Sequence, residues 1–342
     1  MDPQGPKARL TFLDLINAVS NVPQDFDYDG LFRLLLPRDT RAHGFMLPSV
    51  VAQMPWTEGF TIDTASRSVQ LHDGSGGEST GRACSEVFAK TVSAAIDADI
   101  FAMVHGEHSE LYPILGATYP DQPVHVERFL APLFGIASRG AHLVAYTYIR
   151  SGTPVGVGGQ EGDAETAPEL RIWIARRSSY IFTYPNMLDT SVAGGVKAAD
   201  TPFDCIVAEA EEEASLPPSW TRQHVRLRGL VSYVKRHSET GYIAPMVLYV
   251  YDAEVPEDMK LEPGHDGEVA AFYLWTVGQV RDALEARQFK PNCALVMIDF
   301  FVRHGILTPE TEADYIEIVT RLRMQLPVPV SPASGHRWVN IH

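Results

Sequence analysis

The stretch that decides the fold is GGVKAADTPFDCIVAEAEEEASL, residues 194–216. Its two glycines predict a turn, which a short loop connects to a single helix. Thr201 is a good N-cap, and Pro202 suits the first helical position, where a missing N–H costs nothing. The pair Pro217-Pro218 ends the helix. The stretch therefore predicts a glycine turn followed by one helix whose last turns carry glutamates.

The predicted helix has one apolar side that suits packing on a sheet. At about 100° per residue, its apolar residues form a single stripe. The members of this stripe are Phe203, Ile206, Val207, Ala210 and Ala214. Such a stripe favours a helix that lies against a layer of strands.

Three glutamates of the helix lie together beside that stripe. Glu209, Glu212 and Glu213 fall within roughly 100° of arc, with no Lys or Arg among them. They stand near the helix C-terminus, where the macrodipole disfavours anions. A bound divalent cation would remove the repulsion, and oxygen ligands suit Mg²⁺ or Mn²⁺ better than zinc. A solvated acidic helix face is the alternative interpretation.

The composition excludes some classes of partner. The chain has 342 residues and a formal net charge of −15, so neither nucleic acid nor an anionic membrane surface is expected to bind. Cys84, Cys205 and Cys293 are widely spaced, which fits no disulfide framework and indicates a reducing compartment. Because the chain has neither a signal-like start nor a long apolar run, we expect a soluble cytoplasmic protein. The sequence indicates no oligomeric state.

The chain is expected to form two domains and a tail. Residues 1–138 are typical of a smaller α+β domain, and residues 139–328 of a second domain built on strands and containing the glutamate helix. The tail, 329–342, is expected to be loosely held. The acidic, Gly-rich and Pro-rich segment 151–169 is interpreted as a long excursion between two paired strands.

Hydrophobic periodicity predicts the individual elements. In the first domain it predicts helices at 10–19 and 28–36, a hairpin at 60–73, and a helix capped by Ser85 that runs to Ile100. In the second domain it predicts strands at 141–149, 170–177, 226–236, 244–255 and 272–276, and helices at 277–287, 294–304 and 310–325. His105, Glu107 and His108 match no standard metal-ligand spacing, so structural or surface roles are favoured for them.

The opening stretch resembles the signature of the Nudix family, G-x5-E-x7-R-E-U-x-E-E-x-G-U, in which U is a bulky apolar residue. Gly194 matches the leading glycine, and Glu209, Glu212 and Glu213 match the helix glutamates. Asp200 stands at the upstream Glu position, and Leu216 at the last apolar position. Ala208 replaces the arginine that normally orients the glutamates, and Ser215 replaces the late glycine.

Further segments resemble one branch of that family, formed by fungal two-part proteins and by the Nudix half of certain thiamine pyrophosphokinases. These segments are ELYP (110–113), ERFLAPLFGI (127–136), TYPNMLD (183–189), DGEV (266–269) and FKPNCALVMIDFFVRHGILTPE (289–310). Ile181 and Phe182 depart from the branch, where a lysine and a polar residue are more usual. This departure favours altered substrate handling.

The resemblance implies an α/β/α sandwich on a mixed sheet and hydrolysis of an organic diphosphate. Glu209, Glu212 and Glu213 would bind Mg²⁺, with Mn²⁺ as a substitute. Glu209 and Glu212 would also be catalytic, and Glu268 would be a base or an additional ligand, with a solvated loop acid as its alternative. The candidates for holding the substrate are Arg176, Arg177, Lys290, Tyr184, Gly194 and Gly195. Trp173 is a weaker candidate, because aromatic residues in strands more often belong to the core.

Three hypotheses on function follow. The first is Mg²⁺-dependent hydrolysis of thiamine diphosphate or of its oxidised analogues. The second is the same chemistry on a prenyl or other apolar diphosphate, motivated by Ala208, Ile181 and Phe182. The third is a catalytically silent binding module, motivated by the missing arginine. The first domain is expected to cover the substrate cleft.

Overall fold

The structure is a computed structural model, and it describes residues 9–101, 110–150 and 167–332. The helices are α1 (Phe12–Val19), α2 (Pro48–Gln53), α3 (Thr80–Asp97), α4 (Ala131–Phe134), α5 (Pro202–Ala214), α6 (Pro218–His224), α7 (Val277–Glu285), α8 (Pro291–Arg303) and α9 (Tyr315–Arg321). The strands are β1 (Phe32–Leu35), β2 (Gly44–Met46), β3 (Phe60–Asp63), β4 (Ser68–Leu71), β5 (Leu111–Pro113), β6 (His125–Glu127), β7 (Ser138–Ile149), β8 (Glu169–Arg177), β9 (Leu188–Asp189), β10 (Val192–Gly195), β11 (Arg226–Arg236), β12 (Ile243–Glu254) and β13 (Val269–Thr276).

The first domain is built on a four-stranded sheet in the order β2-β1-β4-β3. The hairpin of β3 and β4 confirms the one predicted from the alternating pattern. Helices α2, α3 and α4 contribute to one apolar core with this sheet, in which Phe88 and Phe134 meet edge to face at 5.1 Å between ring centroids. The region is therefore α+β, as predicted.

Two predictions for the first domain were wrong. Residues 28–36 contain the strand β1 instead of a helix, because Phe32 and Leu34 alternate with exposed Arg33 and the segment pairs with two neighbouring strands. The long helix begins at Thr80, five residues before the predicted cap. Ser85 lies inside it and donates its hydroxyl to the Gly81 carbonyl at 2.7 Å.

A seven-stranded mixed sheet forms the centre of the second domain. Its main order is β11-β12-β7-β8-β13, with β12 and β7 parallel and the other neighbours of this order antiparallel. The strands predicted at 141–149, 170–177, 226–236, 244–255 and 272–276 are confirmed. β7 and β8 pair directly, as predicted.

Helices cover both faces of this sheet, which confirms the predicted α/β/α sandwich. Along β7, Val144 and Tyr146 join a core with α8, whereas Leu143 and Ala145 join a core with α5. This alternation is the consequence of side chains that point to opposite faces along a strand. The glutamate helix thus lies on one face, and α1, α7, α8 and α9 on the other. The helix predicted at 310–325 is shorter than expected and spans only α9.

Helix α1 packs with the second domain although it stands at the start of the first. Its apolar residues Phe12, Leu15, Ile16 and Val19 are all buried in the core on the α8 side of the large sheet. The packing therefore joins residues 12–19 to the domain that was predicted to begin at 139.

Strands β7 and β8 pair only along part of their length, and two short strands take the remaining edges. β10 pairs with residues 140–143 of β7, and β9 pairs with Ala175 and Arg176 of β8. Together β9 and β10 therefore fill the fork between the long strands. This fork brings the glycine pair beneath the glutamate helix.

Some sequence interpretations cannot be compared with the structure. His105, Glu107 and His108 lie outside the described residues, as do most of the segment 151–169 and the tail from 333 onward. None of the helices in the described ranges has both the length and the apolar character needed to cross a bilayer.

Candidate active site at the glutamate helix

Helix α5 forms as its sequence predicts. The Thr201 hydroxyl accepts a hydrogen bond from the Asp204 backbone N–H at 3.1 Å, and Pro202 is the first helical residue. Ser215 ends the helix in the left-handed conformation, at φ = 54°. Pro218 then begins α6, so the proline pair both stops one helix and starts the next.

The glycine pair ahead of the helix was expected in a turn, and this prediction was wrong. Gly194 and Gly195 lie in β10, paired with Ala141 and Gly140 of β7. Their role is close approach: an ideal Cβ at Gly194 would stand 2.2 Å from Glu209 Oε1, and one at Gly195 would stand 2.1 Å from the Tyr112 hydroxyl. Only glycine leaves room for these two side chains.

The helix glutamates differ in burial. Glu213 is buried and accepts the Ala193 N–H at 2.9 Å through Oε2. Glu209 is partly buried beside Gly194, and Glu212 is exposed. Burial raises the pKa of Glu209 to about 7, with a further contribution from the charge of Glu212. Burial and the charge of Glu209 raise the pKa of Glu213 well above its ordinary value.

Glu268 approaches the same place from a loop. That loop is fastened to the end of α5, because the Gly264 N–H donates to the Glu213 carbonyl at 3.0 Å. The exposed Glu268 is near enough for its charge to contribute to the raised pKa values of both Glu209 and Glu213. The four carboxylates therefore form one electrostatically coupled group, which we call the acid cluster.

The acid cluster has the chemistry of a divalent cation site. All its donors are carboxylate oxygens, the ligands that hard cations such as Mg²⁺ and Mn²⁺ prefer. Burial, and after it the charges of neighbouring carboxylates, raise the pKa of Glu209 and Glu213, and a bound cation would favour the ionised form of both. The residues present therefore fit such an ion.

Two of the predicted phosphate-binding cations point elsewhere. Arg177 is buried, and its Nη1 lies 3.0 Å from Asp189 Oδ2, while Lys290 Nζ lies 3.5 Å from the same oxygen. Burial alone would raise the pKa of Asp189, but the charges of Lys290 and Arg177 hold it at about 2. Both cations therefore neutralise a buried carboxylate in the fork between β7 and β8.

In the part of the chain that the structure describes, His142, Asp189 and Cys293 place three possible metal-ligand atoms within 4.8 Å of one another, which the carboxylates of the acid cluster do not. Arg177 and Lys290 already supply two positive charges to Asp189. The Cys293 thiol donates to Asp189 at 2.6 Å, and burial raises its pKa well above the ordinary range. This trio is therefore a satisfied polar core and a poor cation site.

The remaining predicted contacts divide between core and cleft. Trp173 is buried and donates its indole N–H to the Thr147 hydroxyl at 3.1 Å. Arg176 donates to the Asn186 carbonyl at 2.7 Å, with its guanidinium over the Tyr273 ring. Tyr184 is exposed, and its hydroxyl lies 3.5 Å from Lys235 Nζ at the edge of a cleft.

Three charged residues near the acid cluster were missed at the level of sequence. Glu110 binds two cations, with Oε2 3.1 Å from Arg128 Nη1 and Oε1 3.1 Å from Lys197 Nζ. Arg128 also lies over the Tyr112 ring, at 5.8 Å from its centroid. The sequence did hold a signal for these residues: Glu110 lies in the segment ELYP, Arg128 in ERFLAPLFGI, and Lys197 just after the glycine pair. However, no spacing rule predicts that residues from separate domains come together.

A cavity of about 280 Å³ lies between the two domains. Its lining includes Tyr112, Arg128 and Phe129 from the first domain and Tyr184, Tyr233 and Lys235 from the second. Because the Tyr112 hydroxyl also packs on Gly195, one wall of this cavity reaches the strand beneath Glu209. Tyr112 therefore connects the cavity to the strand on which Glu209 packs.

Comparison with known proteins bears on the same region. Residues 164–293, which include the acid cluster, match the family described as NUDIX domain. A Saccharomyces cerevisiae protein, "Uncharacterized protein YJR142W", is 29% identical over 340 residues, which cover 94% of this chain and 92% of that protein. "Nudix hydrolase 20, chloroplastic" of Arabidopsis thaliana is 34% identical over 222 residues, which cover 65% of this chain.

The chain spans only about half of that Arabidopsis relative, since the match covers 54% of it. Among solved structures, "Crystal structure of a Nudix Hydrolase from M. Smegmatis, RenU" is 15% identical, with a TM-score of 0.33, and covers 49% of this chain and 87% of that one. The family match and the sequence relatives support the Nudix superfamily. The resemblance to a fungal branch related to thiamine pyrophosphokinase stays a prediction.

Proposed function

We propose that this protein is a hydrolase that cleaves an organic diphosphate at the acid cluster with the help of a divalent cation. The observation that carries the proposal is the set of three glutamates in the second half of α5, of which Glu209 and Glu213 have pKa values raised by burial and by neighbouring carboxylates that include Glu268. The match to the NUDIX domain over residues 164–293 supports the same reaction. The name of the Arabidopsis relative, a Nudix hydrolase, also supports it.

The carboxylates of the acid cluster would have two different roles in the reaction. Glu209, Glu212 and Glu213 would hold Mg²⁺ or Mn²⁺, which neutralises diphosphate charge and lowers the pKa of bound water. Glu213 is already oriented by the Ala193 N–H, so it would be the fixed ligand. Glu268 stands on a separate loop and is exposed, so it would accept the proton of the attacking water. Water adds to one phosphorus while the P–O bond to the other phosphate breaks.

The cavity between the domains would hold the organic part of the substrate. Its volume of about 280 Å³ is near the lower end of ligand pockets, which span roughly 300 to 1,000 Å³. Its aromatic rings suit a flat ring system, and Arg128 and Lys235 suit polar or anionic substituents. Thiamine diphosphate or an oxidised analogue is our first candidate, on the sequence resemblance and on this lining.

An apolar diphosphate is the second candidate, and it is favoured by one observation. Phe182 is 80% exposed beside the loop that carries Tyr184, so an apolar group at the cleft entrance could pack on it. Rates of hydrolysis for thiamine diphosphate, an oxidised thiamine diphosphate and farnesyl diphosphate separate the two candidates. Faster hydrolysis of farnesyl diphosphate would overturn the first.

Phosphate release with Mg²⁺ tests the assigned site. We expect Glu212→Gln to lower the rate by at least about 100-fold, the usual scale for losing a group that acts on the reacting atoms. Glu211→Gln is the matched control, because Glu211 is an exposed glutamate of the same helix. Equal release by all three proteins would refute the site, and binding of Mn²⁺ without hydrolysis of any diphosphate would favour the silent binding module.

A further inference from the structure

Two of the cations that the sequence suggested for phosphate binding, Arg177 and Lys290, do not face the acid cluster. Arg177 and Lys290 are bound to Asp189 and are largely buried, with side-chain exposures of 8% and 18%. Hydrolysis of a diphosphate nevertheless needs positive groups that face the reacting phosphates. Exposed cations next to the acid cluster are therefore the candidates for binding the phosphates.

Arg128 and Lys197 meet this requirement. Their side chains are 47% and 48% exposed, and each lies 3.1 Å from a different oxygen of Glu110. Arg128 belongs to the first domain, and Lys197 to the loop that joins β10 to α5. We call the three residues the cation bridge.

The cation bridge borders the acid cluster on two sides. Arg128 Nη1 would lie 3.5 Å from a Cβ placed at Gly195, the residue next to the glycine that supports Glu209. Lys197 is close enough to Glu209 for each charge to shift the pKa of the other. Glu268 similarly contributes to the raised pKa of Arg128.

We propose that the cation bridge binds the diphosphate of the substrate, with the Arg128 guanidinium as the group that determines specificity for phosphate. This inference rests on the proposed function, because it concerns how the same substrate is held. A guanidinium offers two parallel N–H donors to a phosphate, which an ammonium group cannot do. The first domain would then supply part of the site and would be more than a cover.

The surroundings of Arg128 fit this role. The Tyr112 ring lies beneath its guanidinium, and Glu110 holds one of its nitrogens, so the group is oriented before a ligand arrives. Two cations share one carboxylate, which leaves the cation bridge with a net charge of +1. Arg128 also lines the cavity proposed for the organic group, so one side chain would contact both parts of the substrate.

Binding of inorganic diphosphate tests the inference without relying on turnover. In the Glu268→Gln background, which keeps the three proposed metal ligands, and with Mg²⁺ present, we expect Arg128→Met to weaken diphosphate binding by about 10- to 100-fold, the range for one charge-assisted hydrogen bond. Arg128→Lys should recover part of this loss, since it restores the charge without the fork. The slope of affinity against salt concentration should decrease with Arg128→Met.

Arg222→Met is a closely matched control. Arg222 is 54% exposed, lies 3.3 Å from the Asp204 carboxylate, and stands over the Phe203 ring at 6.0 Å. It therefore has the same kind of surroundings as Arg128, but its carboxylate partner Asp204 is outside the acid cluster. Binding of Mn²⁺ alone should be unchanged in both variants, which shows that the acid cluster has stayed intact.

The outcomes separate this inference from the proposed function. If the wild-type chain hydrolyses diphosphates and Arg128→Met changes neither the KM nor the affinity for inorganic diphosphate, the inference is wrong and the hydrolase proposal stands. If Arg222→Met weakens binding as much as Arg128→Met, or if the Glu268→Gln protein binds no inorganic diphosphate, the inference is also wrong. If Arg128→Met weakens diphosphate binding but no diphosphate is hydrolysed by the wild type, the hydrolase proposal fails alone.

Discussion

Burial makes the ionised forms of Glu209 and Glu213 unfavourable, and either protonation or a bound cation removes this cost. Both belong to a helix that is anchored at its start by Thr201, and both lie against strand β10. Burial is the first cause of the raised pKa of each. A pair of ionised, buried carboxylates destabilises the metal-free protein at neutral pH, and the same two charges favour the binding of a cation.

The pH dependence of stability follows from the pKa of Glu209. Because this pKa is raised from 4.5 to about 7 on folding, the folded protein holds the proton more tightly than the unfolded chain does. The resulting stabilisation is present at low pH and is lost as the pH rises through this window. Without metal at pH 8, Glu209→Gln should therefore be more stable than wild type, by up to about 3 kcal/mol.

Urea unfolding in EDTA at pH 5 and pH 8 measures this effect. The advantage of Glu209→Gln should shrink toward zero at pH 5, and saturating Mn²⁺ at pH 8 should reverse its sign by stabilising only the wild type. Glu211→Gln is the matched control, since Glu211 is an exposed glutamate of the same helix. An advantage of Glu209→Gln that is the same at both pH values would contradict the assignment.

Gly194 provides a second prediction at the scale of one residue. Gly194→Ala places a Cβ 2.2 Å from Glu209 Oε1, so the carboxylate must move while the strand itself stays paired. We expect Mn²⁺ affinity to fall by about 10-fold, the lower end of what disturbed metal ligation costs, with little change in Tm. Gly30→Ala is the control, because no atom lies within 4 Å of its added Cβ. Calorimetric titration with Mn²⁺ would detect the difference.

At the scale of the element, helix α5 ends in a conformation that its sequence supports poorly. Ser215 has φ = 54°, a left-handed value that glycine adopts without steric cost. The family signature has glycine at this position, which matches the geometry. Ser215→Gly should therefore stabilise the protein by roughly 0.5 to 1 kcal/mol.

Thermal unfolding of the two variants Ser215→Gly and Ala208→Gly checks this assignment. Ala208 is an exposed residue in the middle of the same helix, where glycine costs about 1 kcal/mol. The first variant should raise Tm and the second should lower it. A lower Tm for both would mean that the hydroxyl of Ser215, 3.4 Å from the Pro263 carbonyl, outweighs the backbone effect.

Helix α5 and the long strands could be predicted because local signals and the final contacts agree. Thr201 and Pro202 act within a few residues, and the apolar stripe of α5 meets the sheet as its periodicity requires. Strand β1 was predicted as a helix because its four residues become a strand only through pairing with β2 and β4. Over so short a segment, the spacing of apolar residues does not distinguish a strand from a helix.

The site was predictable only where it is local. The glutamates of α5 are spaced by the helix itself, so their convergence could be expected from sequence. Arg177 is the last residue of β8 and is expected from sequence to be available to a ligand, but in the fork between β7 and β8 its guanidinium binds Asp189, 12 positions later. Arg128 and Glu110 reach the acid cluster through the packing of one domain on the other, which no spacing rule contains.

At the scale of the whole molecule, the two domains are less separate than the chain order implies. α1 lies in the core of the second domain, and Arg128 and Tyr112 of the first domain line the cavity next to Gly195. A cut at residue 138 therefore removes part of a core as well as part of the proposed site.

This packing predicts the result of a truncation. Deleting residues 1–137 removes Phe12, Leu15, Ile16 and Val19, each at most 6% exposed, which is worth roughly 6 to 12 kcal/mol. Total stability is typically about 5 to 15 kcal/mol, so the remaining chain should lack a cooperative thermal transition. A cooperative transition in the shorter chain would contradict the packing argument.

The position of α1 also has a consequence for how the protein is made. The ribosome completes residues 12–19 long before it reaches α8, which begins at Pro291, and at about 5 to 20 residues per second the interval is roughly 15 to 55 s. During that time the apolar side of α1 lacks its helical partners α8 and α9. The nascent chain therefore offers chaperones an early binding site, and the second domain closes only when its last helices emerge.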